Sequence, residues 1–145
     1  MTDRLDTNSE PRASDSELAS IVRRFEKARV LIIGDIILDR YVVGGVQRLS
    51  PEAPIPILRP ASHRSTLGGS ANVALNIATL GGTATLIGVI GDDDAGRAVT
   101  DLVSGTPRIV AGMIVAAGRP TTSKTRFMAG VTVMLIFSAD EDMVG

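Results

Sequence analysis

The sequence predicts an α/β fold with a parallel sheet at its core, and three observations carry that expectation. Arg29 to Ile33 (RVLII) and Thr83 to Ile90 are apolar, β-branched runs without alternation, as strands covered on both faces require. Between them, a segment opening at Gly68-Gly69-Ser70 has helical character and small side chains suited to close packing on a sheet. After the second run, Gly91-Asp92-Asp93-Asp94 leads into another helix over about Ala95 to Val103. Strand, helix, strand, helix is the βαβ alternation of a parallel sheet.

Taken in order, residues 1–13 are polar, dominated by Thr, Asp, Asn, Ser, Glu and Pro, and are expected to be a disordered leader. The folded part is expected over 14–145, a single domain. Ser14 and Glu17 have capping-box spacing, and Leu18, Ile21, Val22 and Phe25 recur at helical intervals, so a helix should lie on an apolar surface. The RVLII run then reads as a central strand ended by Gly34-Asp35. From Tyr41 to Pro60, Val and Ile segments are broken by Pro51, Pro54, Pro56 and Pro60, which places them on edge or free-standing strands. The helix Ala71 to Leu80 closes at Gly81-Gly82. Beyond Pro107, the segments Ile109 to Ala116, Thr121 to Met128 and Val131 to Phe137 read as a meander, followed by the acidic Asp140-Glu141-Asp142. No helix follows to cover the second face of the sheet, so the fold reads as unfinished.

Composition narrows the function classes. In 145 residues, 44% hydrophobic and 21% charged, there is enough apolar material for a core, and with 3% aromatics it must be built from Val, Ile, Leu and Ala. A net charge of -1 and the scarcity of stacking residues disfavour nucleic-acid binding. The chain has no Cys and one His, His63, to which no role is assigned; thiolate and His-rich metal sites are excluded. The start is too charged for a signal peptide, and a cytoplasmic location is expected. Ser65 to Gly91 carries no charge over a span long enough for a bilayer, yet its Asn, Thr and Gly content and changing period read as buried α/β core. No membrane partner is expected.

Neither a Gly-x-Gly-x-x-Gly loop nor a Walker A loop occurs. Asp35 and Asp39 follow the first strand where open α/β sheets bind ligands, and a carboxylate there can grip two sugar hydroxyls or simply stabilise a turn. Gly68, Gly69 and Asn72 at a helix start can seat a hydroxyl or phosphate, or serve as a plain capping turn. Arg40, Arg48, Lys124 and Arg126 are a basic set able to pair with a phosphate, or solvated surface charges.

Ile32-Ile33-Gly34-Asp35-Ile36-Ile37-Leu38-Asp39, Gly68-Gly69-Ser70-Ala71-Asn72-Val73-Ala74 and Ile87-Gly88-Val89-Ile90-Gly91-Asp92-Asp93 resemble, in order and spacing, the N-terminal half of ribokinase-like (PfkB) sugar kinases. The resemblance covers about Ala28 to Phe127. Leu38-Asp39-Arg40-Tyr41, Arg48-Leu49-Ser50-Pro51-Glu52-Ala53-Pro54-Ile55-Pro56-Ile57, Thr121-Thr122 and Lys124-Thr125-Arg126-Phe127 look like the D-glycero-D-manno-heptose 7-phosphate kinase branch. The resemblance implies an incomplete ribokinase-like core with a small β lid, formed by about 41–60 and 109–137. It implies ATP- and Mg²⁺-dependent phosphorylation of heptose 7-phosphate at its anomeric hydroxyl, a step toward the ADP-heptose of the lipopolysaccharide core. Asp39, Gly68, Gly69 and Asn72 would hold the sugar, Arg40, Arg48, Lys124 and Arg126 its phosphate, and the lid would pair two subunits into a homodimer. The family's catalytic Asp sits in a Gly-Ala-Gly-Asp motif that this sequence lacks, and the ATP and Mg²⁺ sites are likewise expected outside it. Met128 to Phe137 also drifts from the family pattern. A kinase for another sugar, and a non-catalytic sugar-phosphate-binding or dimerisation module, are the competing readings.

Overall fold

Ser14 starts the first helix, as its spacing to Glu17 predicts. In the computed structural model of the chain, which describes residues 14–139, Ser14 Oγ accepts the Glu17 N–H at 3.3 Å and a Glu17 carboxylate oxygen accepts the Ser14 N–H at 2.7 Å. The bond from the Ser14 backbone, helped by the Ser14 hydroxyl, holds the Glu17 carboxyl below its ordinary range. Helix α1 (Asp15–Arg23) passes into a 3₁₀ turn, Arg24–Lys27. Its apolar stripe does not lie on a surface as expected: Leu18, Ile21 and Val22 are exposed, because nothing among the described residues packs on them. The expected leader, 1–13, and the acidic Asp140-Glu141-Asp142 lie outside the described residues.

The chain continues through β1 (Arg29–Ile33), β2 (Ile36–Leu49), β3 (Pro56–Gly68), α2 (Gly69–Thr79), β4 (Thr83–Gly91), α3 (Asp94–Ser104), β5 (Ile109–Ala116), β6 (Ser123–Ala129) and β7 (Thr132–Ala139). These strands form two sheets. The first is parallel, in the order β1-β4-β5, with Ile32 beside Leu86 and Leu86 beside Ala111. Two expectations are corrected here. β1 is an edge strand of this sheet, with Leu31 and Ile33 60% and 71% exposed, because only its Ile32 face meets the core. Ile109 to Ala116 is no part of a meander or lid: α3 carries the chain over the sheet, and β5 returns parallel to β4 as such a crossover dictates.

The core lies between this sheet and the helices. Ala71 and Ala74 of α2 and Val99 of α3 have no exposed surface, and they meet Leu86, Ile36 and Leu38 in one apolar cluster. Small side chains let α2 approach closely, while Val99 and Val103 supply about 1.5–3 kcal/mol each by burial. The uncharged stretch from Ser65 to Gly91 is the end of β3, α2 and β4, so it is α/β core as read. No helix among the described residues is long and apolar enough to cross a membrane.

The second sheet has the order β3-β2-β6-β7. β2 and β3 form a long hairpin, β6 joins β2 in parallel, and β7 folds back on β6. The prolines fall where they cost no ladder bond in the sheet interior: Pro51 and Pro54 in the connection, Pro56 and Pro60 on the edge strand β3.

One hydrogen-bonded latch ties the two sheets. Asp93 caps α3 by accepting the Gly96 N–H at 2.7 Å. The same carboxylate accepts the Thr121 hydroxyl at 2.7 Å and the Thr121 N–H at 2.8 Å, and Thr121 Oγ1 in turn accepts the Gly91 N–H at 2.8 Å. Partial burial pushes the Asp93 carboxyl up, but the bonds from Thr121 and Gly96 and the charge of Arg97 outweigh it, and the group sits below its ordinary range. The start of β6 is thereby fixed to the end of β4.

Candidate functional site

Side chains alternate along a strand, and that alternation sorts the candidate residues. Ile36 and Leu38 of β2 point into the core, where Leu38 is flanked by Leu67 of β3 and Ser123 of β6. Asp39 and Tyr41 therefore stand on the opposite face, together with their lateral neighbours Thr66, Arg64, Lys124 and Arg126. Asp39 is within the strand, not in the turn expected from sequence. Asp35 is in the turn, and its backbone is what binds: its carbonyl oxygen accepts the Ser70 N–H and the Ser70 hydroxyl, both at 2.9 Å. Those bonds tie the turn after β1 to the first turn of α2.

Asp39, Gly68 and Arg126 are brought together. Arg126 Nη1 donates to Asp39 Oδ1 at 2.6 Å, with both side chains about four-fifths shielded. This bond, with the carboxylate charge, keeps the guanidinium above its ordinary range and so permanently charged. The other oxygen, Oδ2, lies over Gly68, where a Cβ would stand 2.6 Å from it. Glycine at 68 is thus what makes room for the carboxylate. Gly69 is required for a different reason: its φ of +55° suits glycine, and a Cβ there would collide with the Asp35 carbonyl oxygen. Asn72 is exposed on the first turn of α2.

The basic set divides. Lys124 stands beside Asp39 and Arg126 beside Tyr41. Arg40 is on the core-side face with Thr125 and Ser65. Arg48 lies near the far end of β2, nine residues and about 30 Å from Asp39 along the strand, lining a hollow with Gln47, Ile57 and Arg59. The four cations do not converge, because strand parity and strand length separate them. Sequence reasoning missed Arg64. Its guanidinium carbon lies 4.7 Å from the centre of the Tyr41 ring, and that of Arg126 lies 5.1 Å from it. Only the β2–β3 register, with Tyr41 opposite Arg64, reveals the pairing.

Such a face, with one carboxylate oxygen already held and the other open beside a glycine-lined helix start, can order a polyol, while the cations around Tyr41 can take an anion. The family model of the pfkB carbohydrate kinases matches residues 27–143. The chain belongs to that family. Among pfkB-related proteins it is 50% identical over 121 residues to the "Bifunctional protein HldE" of Caulobacter sp. (strain K31), covering 83% of this chain and 25% of that protein. The chain spans about a quarter of the length of the curated relatives it matches. A carbohydrate kinase from Agrobacterium tumefaciens superposes with a TM-score of 0.62 at 21% identity, over 77% of this chain and 35% of that one. A ribokinase from Cryptococcus neoformans var. grubii serotype A, solved in complex with ADP, does so with 0.55 at 20%, over 77% and 34%. These last two are likenesses of fold, and the fold is ribokinase-like: a parallel core sheet with a second, strand-only sheet beside it.

Proposed function

We propose that this chain is the sugar-binding and lid part of an ATP-dependent kinase for D-glycero-D-manno-heptose 7-phosphate, working in the cytoplasm on the way to the ADP-heptose of the lipopolysaccharide core. The observation that carries the reading is the Asp39–Gly68–Arg126 arrangement, in which a carboxylate about four-fifths shielded keeps one oxygen free over a glycine. Asp39 Oδ2 accepts hydrogen bonds from neighbouring sugar hydroxyls, Gly68 and Gly69 let the ring approach the backbone, and the Asn72 amide donates and accepts at the helix start. The sugar's 7-phosphate faces the cationic side of this face, where Lys124 stands beside Asp39 and Arg126 is already paired with Asp39. The strong identity to the bifunctional relative supports the heptose branch over a kinase for another sugar.

ATP and Mg²⁺ follow from the family reading and are held by other parts of such an enzyme. Among the described residues no group of three or more His, Asp or Glu is gathered as a cation would need, and the sequence has no Gly-Ala-Gly-Asp motif. The residues here do not fit Mg-ATP, and no step of phosphoryl transfer is assigned to them. Their part is to bind and orient the acceptor, and to cover it. The sheet β3-β2-β6-β7 serves as the lid, and its exposed Leu49, Ile55, Leu135 and Phe137, around a hollow of about 370 Å³ lined by Ile55, Leu58, Phe127 and Met134, suit pairing with a second copy.

Thermal melting tests the reading. A ligand at about a hundred times its dissociation constant stabilises a folded chain by roughly 2.7 kcal/mol, a shift of several degrees. Heptose 7-phosphate is expected to raise the melting temperature and Mg-ATP alone to leave it unchanged. Absence of any shift with the sugar phosphate overturns the proposal.

A further inference from the structure

We infer that Arg64, with Lys124, binds the distal phosphate of the sugar substrate and sets the preference for a phosphorylated sugar, with Tyr41 as the platform that holds Arg64 in place. The inference rests on the sugar-phosphate reading above. Charge accounting on the Asp39 face leads to it. Of the three cations there, Arg126 is already balanced by Asp39 at 2.6 Å. Arg64 and Lys124 have no ion-pair partner among the described residues, and both neighbour the Asp39–Tyr41 stretch through the strand register. A phosphate dianion placed on this face therefore meets two uncompensated positive charges, one from β3 and one from β6.

Geometry supports the same division of labour. Arg64 is exposed, and an exposed arginine would ordinarily sample many rotamers; its position 4.7 Å from the Tyr41 ring centre restrains it. Stacking on a ring uses the face of the guanidinium and leaves its N–H edge free for phosphate oxygens. From Asp39 to Tyr41 the strand advances about 6–7 Å. A sugar gripped at Asp39 with a phosphorylated side chain spans that step. Arg40 is on the other face and Arg48 is about 30 Å along the strand, so neither competes for the role.

Calorimetric titration of the full chain with heptose 7-phosphate, unphosphorylated heptose and inorganic phosphate provides the test. The wild type is expected to bind the phosphorylated sugar at least tenfold more tightly than the free sugar. Arg64→Gln should reduce that preference by about 10- to 100-fold, the loss of a charge-assisted hydrogen bond, and leave affinity for unphosphorylated heptose and the melting temperature unchanged. Tyr41→Leu should weaken the preference in the wild-type background and not further in Arg64→Gln. A preference that survives Arg64→Gln overturns the inference and leaves the kinase reading standing. Equal binding of the two sugars by the wild type also overturns the inference alone, whereas binding of neither overturns both proposals.

Discussion

Replacing Gly68 by Ala isolates the sugar-gripping carboxylate from the stability of the fold. The added Cβ would stand 2.6 Å from Asp39 Oδ2, whereas ordinary contact begins at 3.4 Å. The carboxylate must therefore retreat by about 0.8 Å, a shift comparable to the slack in its 2.6 Å hydrogen bond to Arg126 and enough to displace Oδ2 from the sugar face. The clash is chiefly with a side-chain end, since the nearest backbone atom, the Ile37 carbonyl oxygen, is 3.1 Å away, and Gly68 has an extended φ of -122° that alanine adopts freely. Affinity for heptose 7-phosphate should fall by about 10- to 100-fold, the worth of a hydrogen bond to a charged group, while the melting temperature moves by no more than a few degrees. Gly69→Ala is the contrast: a left-handed φ and a backbone collision with Asp35 should cost about 1–3 kcal/mol or more of stability. Titration calorimetry and melting of both variants separate the two effects. An unchanged sugar affinity in Gly68→Ala, with a folded protein, would refute the assignment of Asp39 to the sugar.

Asp93→Ala removes the α3 cap and both bonds to Thr121, and should cost about 2–4 kcal/mol in urea unfolding. Because the folded-state carboxyl lies below its ordinary value of 3.8, its contribution is present above that pH and is lost as pH falls through the lower folded value; Asp93→Asn should flatten this acid limb below the ordinary carboxylate range. Arg40→Gln and Arg48→Gln, by their placement, should each leave affinity for heptose 7-phosphate within about twofold, as calorimetry would read. Light scattering should find the chain associated, since Leu49, Ile55, Leu135 and Phe137 of the lid are each more than half exposed; a stable monomer would contradict pairing through that sheet.

The periodic signals in the sequence place most elements correctly. RVLII is a strand, Ser14 is a working cap, and the Gly68-Gly69 turn opens a helix, because each depends on residues a few positions apart. The errors are all non-local. β5 reads as part of a meander because Gly118-Arg119-Pro120 punctuates the chain after it, although IVAGMIVA has the uncharged continuity of TATLIGVIG and so the marks of a parallel core strand. Exposure of the α1 stripe and of β1 could not be read, since periodicity reports that a face is apolar and never what lies against it. Within the site, the nearness of Asp39 to Arg126, 87 residues apart in sequence, comes from one parallel register, and Arg64 enters through one antiparallel register. Charge and motif alone placed Arg40 and Arg48 with Lys124, because strand parity is invisible until the partner is known.

The Asp93–Thr121 latch has a consequence for how such a chain tolerates length changes. Thr121 is anchored two residues before β6 begins, so the count from Thr121 to Lys124 and Arg126 decides which side chains reach the sugar face. A one-residue deletion between the anchor and Lys124 would turn the strand over, presenting Thr125 and Phe127 in place of Lys124 and Arg126. The exposed turn at Ala117 and Gly118, upstream of the anchor, is insulated from that effect, and an extra residue there is absorbed before the frame is set. Deletion and insertion scanning across 117–126 should therefore show an abrupt boundary at Thr121: tolerance on one side of a single hydroxyl, and loss of sugar-phosphate binding on the other.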